Sequence, residues 1–338
     1  PTTTTTTPPL PGFASYLTDW AETDRLGRLL KCAILPATTS SQGDVFSFGR
    51  RIRRSAPYDS FELAAAWRIR NKVREQAYEM KRASLKEQRS EKSPCDDIPV
   101  EFGEAAREIC PTGLDESKRE CVLLHGTRPE HLFSILFEGL DANLARDGCW
   151  GRGVYLAEDA GKIDQYATRD ARYASTKDDD PLRALHEKLY TVARHPKNCH
   201  YALVVRVVLG KARSARASDD VNSLFVDGSK RKLKGKYDSL VAEKLGSSTP
   251  LRNYREFVVY DSDQVLIEYL VAYKRVVSKC YCGLPLVEKS VTKDNDNKGR
   301  PVFFCPNDEC GYIRMDPVCD CGDSAEVRTS HSAANPGR

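Results

Sequence analysis

The sequence predicts an α+β protein, in which a sheet-based domain with helices between its strands is followed by a small cysteine-rich unit. From Val122 onward the chain contains short runs of β-branched and aromatic residues, each bounded by Gly, Asp or Asn, as is typical of strands. Six of the twelve cysteines crowd into residues 280–321, whereas the other six are scattered singly. This asymmetry favours a metal site in a reducing compartment over a framework of disulfides.

Composition narrows the class of protein without identifying it. The chain has 338 residues and is 40% hydrophobic, which is enough for a core. Its net charge of +4 does not decide for or against nucleic acid. No apolar run approaches the roughly 18 residues that span a bilayer, and no secretory signal opens the chain, so we expect an intracellular protein with no membrane partner.

The first element predicted in chain order is a Thr/Pro-rich disordered start with a short helix, over residues 1–43. The segment "DSFELAAAWRIRNKVREQAYEMKRASLKEQ", residues 59–88, predicts one long basic helix with Ser60 as its N-cap, because apolar residues recur near helical spacing without Gly or Pro. Its charged face fits a solvated surface or a nucleic-acid patch.

The later runs predict the strands of a domain that closes near Arg275. They are "VLLHG", "GVYLA", "YALVVRVVLG", "REFVVYD" and "VLIEYLVAYKR". Helices are predicted between them at Pro129–Glu138 and Pro181–Arg194.

Two longer segments contain the chemically informative residues of this domain. "RECVLLHGTRPEHLFSILFEGLDANLARDGCWGRGVYLAEDAGKIDQYA" and the later "YREFVVYDSDQVLIEYLVAYKR" resemble the catalytic domain of poly(ADP-ribose) polymerases, most closely the tankyrase type. The resemblance implies an ADP-ribosyltransferase fold of two packed antiparallel sheets with flanking helices over residues 44–275. It also implies transfer of ADP-ribose from NAD+ to an acceptor, with release of nicotinamide.

The same resemblance implies a role for individual residues. His125 matches the histidine that hydrogen-bonds a ribose hydroxyl, and Glu256 matches the catalytic glutamate. Tyr155 is implied with them in catalysis, and Tyr155 and Tyr166 match the aromatic walls of the nicotinamide pocket. The full NAD+-binding set implied by the resemblance is His125, Gly126, Thr127, Tyr155, Ala157, Lys162 and Tyr166.

The chemistry of the implied reaction makes independent sense of a carboxylate such as that of Glu256. Cleavage of the bond to nicotinamide passes through an oxocarbenium-like state, which a carboxylate stabilises, and the same group can act as general base towards the acceptor. A glutamate at this position implies polymer formation by resemblance. A mono-ADP-ribosyltransferase, or a catalytically weak module that binds NAD+ or nucleic acid, remains the alternative.

Two departures from the family pattern are visible in the sequence. Ile163 stands where the family has a serine that donates to the nicotinamide amide, so weaker binding of nicotinamide-like inhibitors is expected. The tankyrase-type zinc loop is absent from residues 167–200, where His195, Cys199 and His200 do not form a closed set of four ligands.

The C-terminal cysteines resemble a GRF-type zinc finger over residues 276–318. Its implied Zn²⁺ ligands are Cys280, Cys282, Cys305 and Cys310. Residues 319–338 repeat the first part of this cysteine pattern with Cys319 and Cys321, which predicts the start of a truncated second finger. Such a finger implies single-stranded or damaged DNA as a possible partner, beside an acceptor protein or nucleic acid.

The basic segment "SKRKLKGK", Ser229–Lys236, fits a solvated loop, a nuclear-localisation signal or an acceptor-recruiting patch. We expect a nuclear protein, with the cytoplasm as the alternative.

Overall fold

A computed structural model describes residues 14–31, 60–88, 92–110, 112–145, 148–170, 181–215, 219–243, 254–276, 284, 286–292, 301–307, 309–311 and 313–315. The strands are β1 (Ala14–Tyr16), β2 (Ser60–Ile69), β3 (Glu120–Gly126), β4 (Val154–Leu156), β5 (His200–Val208), β6 (Ala212–Ala215), β7 (Ser239–Ala242), β8 (Glu256–Val259), β9 (Val265–Val276), β10 (Val287–Ser290), β11 (Pro301–Phe304) and β12 (Ile313–Met315). The helices are α1 (Trp20–Lys31), α2 (Lys72–Ser84), α3 (Val100–Ile109), α4 (Pro129–Glu138), α5 (Ala160–Asp164) and α6 (Pro181–Leu189).

The larger sheet has five strands in the order β1-β2-β9-β5-β3, all paired antiparallel. Strand β5 is buried at every position because helices or strands cover both of its faces. Leu203 and Val205 pack with α4, α6 and the smaller sheet, whereas Ala202 and Val204 pack with α1 and α3. Burial on both faces explains why this strand is an almost unbroken apolar run.

The smaller sheet has the order β4-β8-β7-β6. Its inner residues, among them Leu156, Val241 and Phe257, share one apolar core with the larger sheet, so the two sheets pack together. The β4–β8 and β8–β7 pairs are antiparallel, but β7 pairs with β6 in parallel. Two packed sheets with helices confirm the α+β class, and the parallel pair departs from the expected all-antiparallel arrangement.

The single long helix expected over residues 59–88 is wrong in its first half. Ser60 begins strand β2 and is no helix cap, and only Lys72–Ser84 is helical. The Asn71 side chain caps this helix by accepting from the backbone N–H of Arg74 at 3.2 Å. Pairing along β9 decides the conformation of the alanine-rich segment, and a bulge between Leu63 and Ala65 breaks the alternation that marks a strand.

The other predicted elements agree more closely with the structure. The five apolar runs each contain a strand, and α4 has the predicted bounds. Helix α6 ends at Leu189, before the predicted end at Arg194. Within the segment 1–43, for which one short helix was predicted, the described residues form a short strand followed by helix α1. No helix in the described ranges is both long and apolar enough to cross a membrane.

The cysteine-rich end is described only in part. Strands β10, β11 and β12 form a small antiparallel sheet. Cys305 follows β11 and is buried, and the backbone N–H of Cys310 closes a turn onto the carbonyl of Asn307 at 3.0 Å. The predictions for Cys280 and Cys282, for a disordered start over residues 1–12 and for a second finger over residues 319–338 concern residues outside the described ranges.

Candidate active site

The candidate site lies where the two sheets meet. The last residues of β3 run beside the residue that follows β4, and Leu124 and Ala157 exchange backbone hydrogen bonds of 2.8 and 3.0 Å. Strand β4 in turn pairs with β8, which begins at Glu256. Residues that are far apart in the sequence therefore converge on one seam between the sheets.

The protonation state of His125 follows from its hydrogen bond. Its Nδ1 lies 2.9 Å from the carbonyl oxygen of Tyr155. A carbonyl oxygen only accepts, so Nδ1 carries the proton and Nε2 of the neutral ring is left as an acceptor. Burial lowers the pKa of His125 below its ordinary value, which keeps the ring neutral near pH 7. A neutral Nε2 is the form that accepts a hydrogen bond from a sugar hydroxyl.

Tyr155 is fixed by the glycine-rich loop that precedes it. Its hydroxyl accepts from the backbone N–H of Trp150 and donates to the carbonyl of Gly151, both at 2.8 Å. Burial raises the pKa of Tyr155, so the hydroxyl stays protonated. Gly151 has φ +83°, and a Cβ there would lie 2.5 Å from the carbonyl oxygen of Lys230, so only glycine fits. These contacts hold the Tyr155 ring at a defined position, half buried.

Gly126 is a glycine because helix α5 approaches its backbone directly. A Cβ on Gly126 would lie 2.0 Å from the carbonyl oxygen of Ile163. The Ile163 side chain is 4% exposed and belongs to the apolar core behind α5 with Leu124 and Ala167. The position that the family fills with a polar side chain is therefore part of the core in this chain.

Lys162 and Glu256 form a buried ion pair at the seam. The Lys162 Nζ lies 3.0 Å from the Glu256 Oε1, and the two side chains are 2% and 5% exposed. Lys162 lies on α5, which is capped by the Asp159 side chain accepting from the backbone N–H of Gly161 at 2.8 Å. The Lys162 ammonium also lies 5.9 Å from the centre of the Tyr166 ring. A buried carboxylate beside a cation can stabilise positive charge that develops on a bound substrate.

A second buried ion pair lies directly beside Glu256 and was missed in the sequence. Arg255 makes two hydrogen bonds to Glu158, at 2.9 Å from Nε and 2.6 Å from Nη2. The two side chains are 4% and 7% exposed. Because Glu158 follows Ala157 in the chain, the pair ties β8 to the segment between β4 and α5. The only sequence signal was a basic residue adjacent to a glutamate, which is common on surfaces.

The remaining members of the implied set occupy the same region. Thr127 follows Gly126 and is buried, and Ala157 takes part through its backbone. Tyr166 is 39% exposed, and its ring centre lies 5.9 Å from the Lys162 ammonium. The contacts described here join His125 to Tyr155 and Lys162 to Glu256 and Tyr166.

Comparison with known proteins identifies one family. No curated protein matches the sequence in a search. The family model described as "Poly(ADP-ribose) polymerase catalytic domain" matches residues 50–275, which is more than half of the chain. This range contains the smaller sheet, the larger sheet apart from β1 and the last residue of β9, and every residue of the site described above. The chain belongs to the family of poly(ADP-ribose) polymerase catalytic domains, whose reaction is ADP-ribosyl transfer from NAD+.

Proposed function

We propose that this chain transfers ADP-ribose from NAD+ to an acceptor, releases nicotinamide and extends the product into poly(ADP-ribose). The observation that carries the proposal is the Glu256 carboxylate, buried and held 3.0 Å from the Lys162 ammonium at the seam that also contains His125 and Tyr155. A carboxylate held in a buried site opposes positive charge more strongly than one in water.

The reaction divides between bond cleavage and bond formation. When the glycosidic bond breaks, its electron pair leaves with nicotinamide, and positive charge develops on the ribose. Glu256 stabilises this charge. An acceptor hydroxyl then attacks the same carbon, and the Glu256 carboxylate takes up the hydroxyl proton and releases it to solvent. Lys162 holds the carboxylate in place until substrate binds.

The other residues bind and orient NAD+. The Nε2 of the neutral His125 accepts a hydrogen bond from a ribose hydroxyl, and the Gly126 backbone binds the nicotinamide amide. Tyr155 and Tyr166 provide the aromatic walls. Arg255 fixes the start of β8 and therefore the position of Glu256.

A targeting role for the C-terminal region is part of the proposal. Cys305 and Cys310 flank one turn of the small sheet, as two ligands of a structural zinc would. With Cys280 and Cys282 they would form a four-thiolate GRF-type site that recruits single-stranded or damaged DNA. The exposed lysines Lys232, Lys234 and Lys236 support a nuclear location. We also propose that the catalytic domain is of the tankyrase type.

The test is incubation with labelled NAD+, with and without single-stranded DNA, followed by sizing of the products. We expect polymers from the wild-type protein, more of them when DNA is present, and neither polymer nor efficient transfer from Glu256→Gln. Glu268→Gln is the matched control, because Glu268 is also buried in an ion pair, with Arg206 at 2.7 Å, but lies away from the site. This control should keep its activity.

Each other outcome selects an alternative. Single ADP-ribose units from the wild-type protein would identify a mono-ADP-ribosyltransferase. NAD+ binding without release of nicotinamide would identify a binding module. Polymers of wild-type length from Glu256→Gln would show that another residue carries the chemistry.

A further inference from the structure

A pair of cysteine thiols lies beside the candidate active site and has no part in the proposed mechanism. Cys121 is on β3, four residues before His125, and is 4% exposed. Cys95 is half buried in a single 3₁₀ turn, Pro94–Asp97, and packs against the apolar core to which Cys121 belongs. Both cysteines are free thiols. The fold therefore brings two reactive groups from separate segments together.

The two thiols are joined by a hydrogen bond and differ in acidity. As a thiolate, Cys95 accepts from the Cys121 thiol, and this bond lowers the pKa of Cys95. The same bond, together with burial, raises the pKa of Cys121 well above its ordinary value. As a thiol, Cys95 donates to the carbonyl oxygen of Arg119 at 3.8 Å. Cys95 is thus the more nucleophilic sulfur, because the thiolate is the form that reacts.

A cavity gives small molecules access to this pair. Both cysteines line it, its volume is about 270 Å³, and its apolar wall contains Ile98, Phe102 and Leu114. A water molecule takes up roughly 30 Å³ in the liquid, so the cavity has room for an oxidant of the size of hydrogen peroxide. Because Cys95 is also partly exposed, such a molecule meets Cys95 before it meets the buried Cys121.

We propose that Cys95 and Cys121 form a reversible disulfide when the protein meets hydrogen peroxide. The Cys95 thiolate attacks one peroxide oxygen, the O–O bond breaks and hydroxide leaves, so that Cys95 becomes a sulfenic acid. The Cys121 sulfur then attacks the Cys95 sulfur. The S–O bond breaks, and the hydroxyl group leaves as water with the Cys121 proton. The two thiols lose two electrons, and the peroxide is reduced to two molecules of water.

The turn that carries Cys95 also contacts the residue next to Glu256. The Pro94 carbonyl accepts from the Arg255 Nη1 at 3.3 Å, and the Asp97 Oδ2 lies 3.9 Å from the same atom. A disulfide joins its sulfur atoms at about 2.05 Å, which is closer than two unbonded thiols approach, so it draws the turn towards β3. Oxidation therefore shifts the support of Arg255 at the start of β8.

We expect this shift to slow the reaction. A displacement of about 1 Å at a positioning residue can lower a rate by up to about 10²-fold, and the disulfide should lower nicotinamide release within that range. This effect rests on the proposed function, whereas formation of the disulfide does not. In a reducing compartment the bond would be a transient response to oxidant and not a permanent part of the fold.

The test is a peptide map of the full-length protein before and after hydrogen peroxide, with free thiols blocked first. Trypsin releases Cys95 in residues 93–107 and Cys121 in residues 120–146, and neither peptide contains a second cysteine. We expect peroxide to join these peptides, with a mass two hydrogen atoms below their sum, and a thiol reductant to separate them. No joined peptide after peroxide, or a sulfinic acid at Cys95 in its place, would overturn the proposal.

Two variants connect the disulfide to activity. Cys95→Ser should form no joined peptide, and its nicotinamide release should resist peroxide. Cys110→Ser is the matched control, because Cys110 is also buried but belongs to another apolar cluster, which contains no second cysteine among the described residues. It should form the disulfide and lose activity reversibly, as the wild type does.

The two measurements separate the disulfide from the proposed function. Equal inactivation of Cys95→Ser and the wild type by peroxide would overturn the link from the disulfide through Arg255 to the site. If the protein released no nicotinamide under any condition, the proposed function would fail, and the peptide map would still decide whether Cys95 and Cys121 form the disulfide.

Discussion

The buried pair of Lys162 and Glu256 allows the contribution of charge to folding to be separated from its contribution to catalysis. The perturbation is Lys162→Met and Glu256→Gln, made singly and together. At 3.0 Å and an effective dielectric constant of about 20, the gross attraction is about 5–6 kcal/mol, before the cost of desolvating both groups. Removing one partner leaves the other charge buried without this counter-charge, which lowers the free energy of unfolding by about 3–5 kcal/mol.

The double variant should recover most of this loss because neither charge remains. Replacement of a buried pair by uncharged side chains of similar size is commonly neutral or stabilising. Activity should not recover, since the oxocarbenium-like state still lacks its carboxylate. We expect nicotinamide release to fall by about 10²–10³ in both variants that carry Glu256→Gln.

The assays are urea unfolding followed by circular dichroism, and single-turnover release of nicotinamide. Stability should show a coupling free energy above about 2 kcal/mol between the two positions, within the range found for contacting residues. Additive losses in stability, or single variants that each cost under about 1 kcal/mol, would refute the assignment of a tight buried pair. Recovery of activity together with stability would refute the catalytic role of the carboxylate.

Two further predictions concern Ile163, which lies in the core beside the site, and His125 within it. Ile163→Ser should lower the free energy of unfolding by about 2–5 kcal/mol, because it removes a buried side chain and leaves a hydroxyl in the core. The control Ile163→Val should lower the free energy of unfolding by only about 0.5–1.5 kcal/mol. If Ile163→Ser instead bound a benzamide inhibitor tenfold more tightly, this side chain would face the pocket and not the core. Burial lowers the pKa of His125 in the folded state below its ordinary value of about 6.5. Between that value and the lowered pKa, the unfolded chain binds more protons than the folded one. The free energy of unfolding should therefore decrease as the pH falls through this range. In profiles of melting temperature against pH, His125→Gln should remove part of this decrease. Some decrease should remain, because burial also lowers the pKa of His200. A profile identical to that of the wild type would contradict the reasoning.

The sequence predicted the elements whose patterns are local. Strand β5 was recognisable because burial on both faces makes it a continuous apolar run, and α4 because Pro129 opens it and Gly139 ends it. Strand β2 was not recognisable, since its three alanines favour a helix and only pairing with β9 makes it a strand. Tertiary contacts decided that segment, and they are not encoded in its own pattern.

The candidate site divides in the same way. The residues of the site were identified because three separate sequence motifs resemble those of a known family. What the likeness could not supply was the direction of the Ile163 side chain, the bond between Arg255 and Glu158, and the convergence of Cys95 with Cys121. Each depends on how distant segments pack, so only the three-dimensional arrangement reveals it.

The hydrogen bonds between Leu124 and Ala157 have a consequence for how the protein acquires activity. His125 belongs to one sheet and Glu256 to the other, and these bonds join the two sheets at the site itself. A compact intermediate could form both sheets and most of its circular dichroism signal before this junction closes. During refolding, catalysis would therefore return later than secondary structure, and the delay would measure the time that the two sheets need to dock.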